Sequence, residues 1–223
     1  MLVFVASERR EFVGLLRHAT QVKQLDWPLE FARAGELRGK PVVLVANGPG
    51  PKLAGEAAEA AKKRERVDAL LSIGYCGALD PSLKLYDIVV SGSLQLLTRG
   101  RGQTAKEGTL LSLDRVITTA AEKAELRKTG ADAVEMESAG VAAKAREWNV
   151  PFLAVKIVTD ESNESLTLDF NRFRGVDGRF RRAAIVRAAL ARPSTLIPAL
   201  LQLNNRAKSA AQALGDFIAD AQL

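Results

Sequence analysis

Four apolar runs constrain this 223-residue chain more than any other feature: "LVFVA" (Leu2–Ala6), "PVVLVAN" (Pro41–Asn47), "VDALLSIG" (Val67–Gly74) and "PFLAVKIVTD" (Pro151–Asp160). Each is short and nearly continuous, the pattern of a strand buried on both faces rather than one. Amphipathic stretches separate them. Glu8–Ala19 reads as a helix with Phe12, Leu15, Leu16 and Ala19 on one face. "GPGPKLAGEAAEAAKK" turns through glycines into an alanine-rich helix, "AEKAELRKTG" reads as a short helix ended by Gly130, and Glu137–Trp148 as another. "YDIVVSGSLQLL" (Tyr86–Leu97) reads as one long β segment, "DAVEM" as a further strand, and Arg99–Gly108 as a polar loop. Buried strands alternating with helices require a sheet covered on both sides. The expected fold is therefore α/β, a single domain over residues 1–223 with a mixed, mostly parallel central sheet between two helical layers.

The last third, 179–221, reads as helical. Leu196, Leu200, Leu203, Ala207, Ala210, Leu214 and Phe217 recur at alternating spacings of four and three, one apolar stripe along a helix. That stripe packs on its own domain or faces a partner or membrane. Pro193 and Pro198 are expected to break or kink the helix near its start. Arg172–Arg192 carries seven arginines and one acid and supplies much of the net charge of +6. Such a segment is either a solvated helix face or a surface for anionic partners, lipid or nucleic acid.

Composition narrows the chemistry. One cysteine, Cys76, excludes an internal disulfide and a Cys-rich metal site. One histidine, His18, lies within an expected helix, so any chemistry falls to carboxylates and backbone groups, with no metal or organic cofactor expected. The first residues lack the basic lead and length of a signal peptide, and no apolar run spans a bilayer, so a cytoplasmic protein is expected.

In an open parallel sheet, ligands bind beyond the carboxyl ends of the strands. The residues there are Glu8 and Glu11, then "NGPGP", "GYCGAL", "MES" and "TDESN". Gly48 and Gly50 in "NGPGPK" are candidates to hold phosphate through backbone N–H groups, although the loop matches neither GxxxxGK[ST] nor GxGxxG. "AVEMES" places Glu135 and Glu137 at a strand end, either because carboxylates favour a helix N-terminus or because a hydroxyl-rich ligand binds there.

Three motifs together resemble the purine nucleoside phosphorylases and the methylthioadenosine/S-adenosylhomocysteine nucleosidases. "SIGYCGALDPSLKLYDIVVS" carries Leu79, Leu83, Lys84, Asp87, Ile88, Val89 and Val90 in the family register. "AVEMES" matches the family's ribose-binding motif, and "VPFLAVKIVTDESN" the strand that ends in its catalytic aspartate. They occur in the family's order and span most of residues 1–171. The resemblance implies a phosphorylase-like fold and cleavage of a purine N-glycosidic bond in a small nucleoside substrate. It implies no cofactor and no nucleic-acid partner, and it implies a homo-oligomer. By position, Asp160 is the acid that protonates the departing purine. Glu137 accepts the ribose 2′- and 3′-hydroxyls, Met136 packs on the sugar, and Glu135 is a further substrate contact. Cys76 and Gly77 meet base and sugar through backbone. Glu11 is the base that activates water, with Glu8 its rival under a one-residue shift.

The chain departs from these families in two places. Where hexameric phosphorylases carry arginine and serine for phosphate, this chain has Ser72 and Tyr75. Losing the bidentate guanidinium favours water, hence hydrolysis, with phosphorolysis as the alternative. Val116 stands where the nucleosidases place an aromatic ring over the purine, so aliphatic contacts hold the base or the substrate differs from methylthioadenosine; futalosine is another possibility. Finally, "GRFRRAAIVRAALARPSTLIPALLQLNNRAKSAAQAL" and "TTAAEKAELRKTGADAVEMES" resemble the hopanoid-associated phosphorylases, which are linked to removal of adenine from adenosylhopane. A lipid-tailed substrate would suit the apolar stripe, and an anionic membrane surface at the inner face would suit Arg172–Arg192. The alternative of a different class is a non-catalytic protein of this fold that binds nucleic acid or membrane.

Overall fold

A computed structural model describes residues 1–97 and 104–221. The chain runs β1 (Leu2–Ala6), a 3₁₀ turn (Arg9–Phe12), α1 (Val13–Leu16), β2 (Thr20–Gln24), β3 (Phe31–Leu37), β4 (Lys40–Ala46), α2 (Pro51–Lys62), β5 (Ala69–Ala78) and β6 (Ile88–Gly92). A second 3₁₀ turn (Leu94–Leu96) follows, then β7 (Lys106–Glu107), β8 (Leu110–Ser112), α3 (Ala120–Arg127), β9 (Ala133–Glu135), α4 (Ser138–Glu147) and β10 (Phe152–Asp160). A third 3₁₀ turn (Phe170–Phe173), α5 (Arg182–Ala191) and α6 (Pro193–Asp220) complete it.

One ten-stranded mixed sheet results, in the order β2-β3-β4-β1-β5-β10-β6-β7, with β9 joined to β5 and β8 to β9. Its centre, β4-β1-β5-β10, is parallel. β3 runs antiparallel to β4, β2 antiparallel to β3 and β6 antiparallel to β10, while β7 is parallel to β6. The centre lacks polar alternation because both faces are covered. Phe4, Leu44 and Leu71 pack under Phe12, Leu15, Leu214 and Phe217 on one side. Val3, Val5, Val43 and Val45 pack under Ala54, Ala57, Val141 and Ala145 of α2 and α4 on the other. Each large side chain buried this way contributes about 1.5–3 kcal/mol.

Four expectations change. The helix expected over Glu8–Ala19 is a 3₁₀ turn and a single α turn, because Glu11 folds back to accept the Glu8 N–H at 2.9 Å and Thr20 already begins β2. Residues 20–37, without an assigned element above, form the antiparallel pair β2–β3; β2 is exposed along its whole length and carries no apolar periodicity. The β segment expected over Tyr86–Leu97 ends at Gly92, whose φ of 104° turns the chain into a 3₁₀ turn, with the Ser93 N–H donating to the Phe152 carbonyl at 2.7 Å. Pro193 does sit at a break, where Arg192 leaves helical geometry, but Pro198 lies inside a continuous 28-residue α6. The expected polar loop Arg99–Gly108 falls in part outside the described residues, and its end carries β7. Among the described residues, no helix is long and apolar enough to cross a membrane.

Candidate active site

A cleft of about 710 Å³ opens where β1, β5 and β10 end, walled on its far side by α5 and α6. That volume is within the range of small-molecule sites, about 300–1,000 Å³. Glu11, Glu137 and Asp160 all line it. Three different segments thus deliver carboxylates to a single cavity, with Glu8 and Glu135 lining it beside Glu11 and Glu137.

Glu11 is nearly inaccessible to solvent. Its Oε1 accepts from Ser7 Oγ at 2.6 Å and from the Glu8 N–H, while Oε2 lies over Gly74. Burial pushes its pKa above the ordinary value, and the Ser7 hydroxyl and Lys156 only partly oppose this. Glu8 instead pairs with Arg10 at 2.8 Å and Arg182 at 3.1 Å.

Behind Glu11 stands a cluster that the motifs alone did not expose. Lys156, wholly buried in β10, extends its ammonium to Glu135 Oε2 at 2.9 Å and Glu137 Oε2 at 3.4 Å. Burial opposes that positive charge, but Glu135 and Glu137 outweigh it and hold the lysine pKa above normal. Glu135 also accepts the N–H groups of Glu137 and Ser138 at the start of α4, and the Ser112 hydroxyl. Burial raises its pKa, yet Lys156 and these donors bring it below the ordinary value. Glu137 is left with less support: burial, with Glu135 and Glu11 nearby, pushes its carboxyl up to about 7 against the pull of Lys156.

Asp160 ends β10 beyond a register shift against β5. Its Oδ1 accepts from Thr159 Oγ1 at 3.1 Å, and its Oδ2 takes an ion pair from Lys123 of α3. Gly77 leaves room for it: a Cβ there would lie 2.8 Å from Asp160 Oδ2. Cys76, Met136 and Val116 also line the cleft. Burial raises the Cys76 thiol pKa well above normal, so the thiol stays neutral. Tyr75 donates its hydroxyl to the Ala207 carbonyl of α6 at 2.9 Å and is likewise raised by burial. Val116 is fixed through its backbone by the Asn171 side chain, two bonds of 2.8 Å each. Aromatic rings reach the cleft from another segment, Phe170 and Phe180, in edge contact at 6.3 Å.

The "NGPGPK" loop is engaged with the protein itself. The Gly48 N–H donates to the Ser7 carbonyl at 2.9 Å and the Gly50 N–H to Glu137 Oε1 at 3.3 Å. Ser72 is buried against Ser138. His18 is on the surface, bonded to Asp216 at 2.6 Å. The apolar stripe of α6 divides in function: Ala210, Leu214 and Phe217 enter the core, while Leu200, Leu203 and Ala207 face the cleft. With Ile185 and Leu166 they give the helical side of the cavity much apolar surface, interrupted by Arg182, Asn204 and Arg206.

The fold and site define a class: α/β proteins with a mixed sheet whose parallel centre ends in a carboxylate-lined cleft. More particularly, the chain belongs to the Phosphorylase superfamily, whose family model matches residues 2–99 and 92–191. A 5′-methylthioadenosine/S-adenosylhomocysteine nucleosidase of Staphylococcus aureus (strain JH9) is 22% identical over 78% of this chain and 92% of its own. The structure of the enzyme of that name from Neisseria meningitidis, in complex with methylthio-immucillin-A, superposes with a TM-score of 0.73 at 20% identity, covering 98% of this chain and 96% of that one. The native futalosine hydrolase of Helicobacter pylori strain 26695 superposes with a TM-score of 0.69 at 16% identity, covering 98% and 95%.

Proposed function

We propose that this protein cleaves the N-glycosidic bond of an adenine nucleoside by hydrolysis. Three carboxylates converging on one nucleoside-sized cleft carry this conclusion. Bond breaking places positive charge on the ribose and negative charge on the base. An acid beside the base and an anion beside the sugar stabilise that transition state more than the ground state. Asp160 donates the proton to the purine, Glu137 accepts the ribose hydroxyls, and Glu11 takes a proton from the attacking water. Met136 packs on the sugar, and the Cys76–Gly77 backbone meets sugar and base.

Water is favoured over phosphate by what surrounds the attack site. Ser72 brings no cation, and the Gly48 and Gly50 N–H groups are already bonded within the protein. The apolar residues on the helical wall of the cleft, Ile185, Leu200, Leu203 and Ala207, favour a nucleoside with a bulky apolar 5′ substituent, which agrees with the resemblance to enzymes acting on adenosylhopane. Exposed Val186, Leu190, Ile197 and Leu201, beside the arginines of α5, favour contact with an anionic membrane surface. Pairing of subunits belongs to the same proposal and is read by light scattering.

The test is a panel of adenine nucleosides, with and without phosphate, scored by free adenine. Expected is adenine release that phosphate does not accelerate, with kcat lowered about 10²–10⁴-fold by Asp160→Asn. Ribose 1-phosphate as product would convert the assignment to phosphorolysis. Failure to release adenine from any nucleoside would leave a non-catalytic binder.

A further inference from the structure

Lys123 has no part in the chemistry described so far, yet it is the other buried lysine of the site. Its side chain is 1% exposed. Its ammonium bonds Asp160 Oδ2 and the Glu161 carbonyl, the latter at 2.7 Å. Asp160, at 15% exposure, reaches the cleft from the other side of that pair. A free aspartic acid has a pKa of about 3.9, so roughly one molecule in a thousand carries a proton at pH 7. An acid catalyst therefore needs a source of protons closer than solvent.

We propose that Lys123 stores the proton that Asp160 delivers. This rests on Asp160 being the acid. The pair is neutral overall whether the proton is on nitrogen or on oxygen, so moving it between them creates no net charge at the wall of the cleft. Lysine suits the task because a desolvated ammonium gives up its proton far more readily than a guanidinium. In the step, an Nζ–H bond of Lys123 breaks and an O–H bond forms on Asp160 Oδ2. That O–H then breaks as the purine ring nitrogen gains the proton and the C1′–N9 electron pair passes into the departing base. Water adds its oxygen to C1′ and leaves its proton on Glu11. That proton goes to solvent and one from solvent restores Lys123, so the cycle balances. Lys123 acts through Asp160 and never touches substrate; it is a positioning residue for the proton. The charged and titratable groups facing the pair are Glu164, held by Arg206 of α6 at 2.8 Å and 2.9 Å, Arg206 itself, and the neutral Cys76 thiol on β5. Lys84 pairs with the Glu161 side chain at 3.3 Å, and Glu122, beside Lys123 on α3, with Arg115.

The test measures kcat and KM from pH 5 to pH 8 for the full chain, Lys123→Met, Lys123→Arg and Asp160→Asn on the best adenine nucleoside of the panel. Lys123→Met should lose about 10²-fold in kcat at pH 8, with KM little changed, the lower end of general-acid assistance. The deficit should shrink from pH 8 to pH 5, as solvent becomes a richer source of protons and the store matters less. Lys123→Arg keeps the charge but withholds the proton, so it should remain deficient at both ends. A Lys123→Met deficit that is constant across pH, or a Lys123→Arg kcat equal to wild type at pH 8, overturns the proposal. These outcomes separate it from the reading beneath it: Asp160→Asn with wild-type kcat removes the acid assignment itself. An inactive Asp160→Asn with a pH-independent Lys123→Met deficit removes only the proton store.

Discussion

Lys156 concentrates the electrostatics of the site in one side chain. Replacing it with Met would leave Glu135 and Glu137 buried without their cation, and unpaired buried charges cost about 3–5 kcal/mol. Urea unfolding at pH 8 should show a loss of that size, smaller at pH 5, where the glutamates can be neutral. Glu137 adds a pH dependence of its own. Its pKa of about 7 exceeds the ordinary 4.5, so the folded protein binds more protons than the unfolded chain between those values. Its contribution to stability therefore falls as pH rises through that window. For binding the sign is opposite, since only the carboxylate accepts two hydroxyl donors. kcat/KM should fall as pH drops below about 7, and Glu137→Gln should have a low and shallower profile over the same range, with the dependence on Glu11 remaining, read from initial rates. Lys156 was legible in principle: a lone charge inside "FLAVKIV" must be paired if the strand is buried on both faces. Lys123 was not, because "AEKAELRK" reads as an ordinary solvated helix and only the packing of α3 against the end of β10 hides the ammonium.

At the scale of elements, two close approaches are set by glycine. Gly74 has φ of 131°, and a Cβ there would fall 1.9 Å from Glu11 Oε2. Gly74→Ala should therefore displace Glu11 and abolish turnover, with a lowered melting temperature. Gly215 lets α6 cross α1: a Cβ would meet the Gly14 carbonyl carbon at 2.1 Å, backbone that cannot rotate away. Gly215→Ala should cost about 1–3 kcal/mol or more in chemical denaturation. Neither constraint can be read from spacing alone, because each depends on a segment distant in sequence that packs against the glycine. The four central strands were legible because burial on both faces leaves a continuous apolar signature. β2 was not, because an exposed edge strand such as "TQVKQ" has no apolar face to show. β7 and β8, of two and three residues, are shorter than any periodicity. The cleft-facing carboxylates were found by motif and strand end, whereas Phe170 and Phe180 arrive through an irregular segment without a pattern.

For the molecule as a whole, charge is unevenly committed. Of the arginines in Arg172–Arg192, Arg174 pairs with Asp114 at 2.6 Å, Arg179 with Glu30 at 2.5 Å and Arg182 with Glu8 at 3.1 Å. These hold the segment against the body. Arg187 and Arg192, like Arg172 and Arg181, are exposed; so are Leu190 of α5 (66%) and Leu201 of α6 (57%). A basic residue close to an anionic bilayer contributes about 1 kcal/mol, so attraction to such a surface through these arginines would be weak and salt-sensitive. Cosedimentation with vesicles rich in anionic lipid should show binding at low salt that fades at high salt, and Leu190→Glu/Leu201→Glu should abolish it. Absence of binding at either salt would refute a membrane partner.

Helix α6 joins two duties along one rigid rod. Its last turns are locked into the hydrophobic interior and tolerate little, while Leu200 and Leu203 of its earlier turns form part of the wall of the hollow. Selectivity can therefore drift by altering residues near Leu200 and Leu203 without endangering the scaffold. A lesion near Leu214 would reach both, loosening the anchor and letting the wall swing away from the chemistry it shapes.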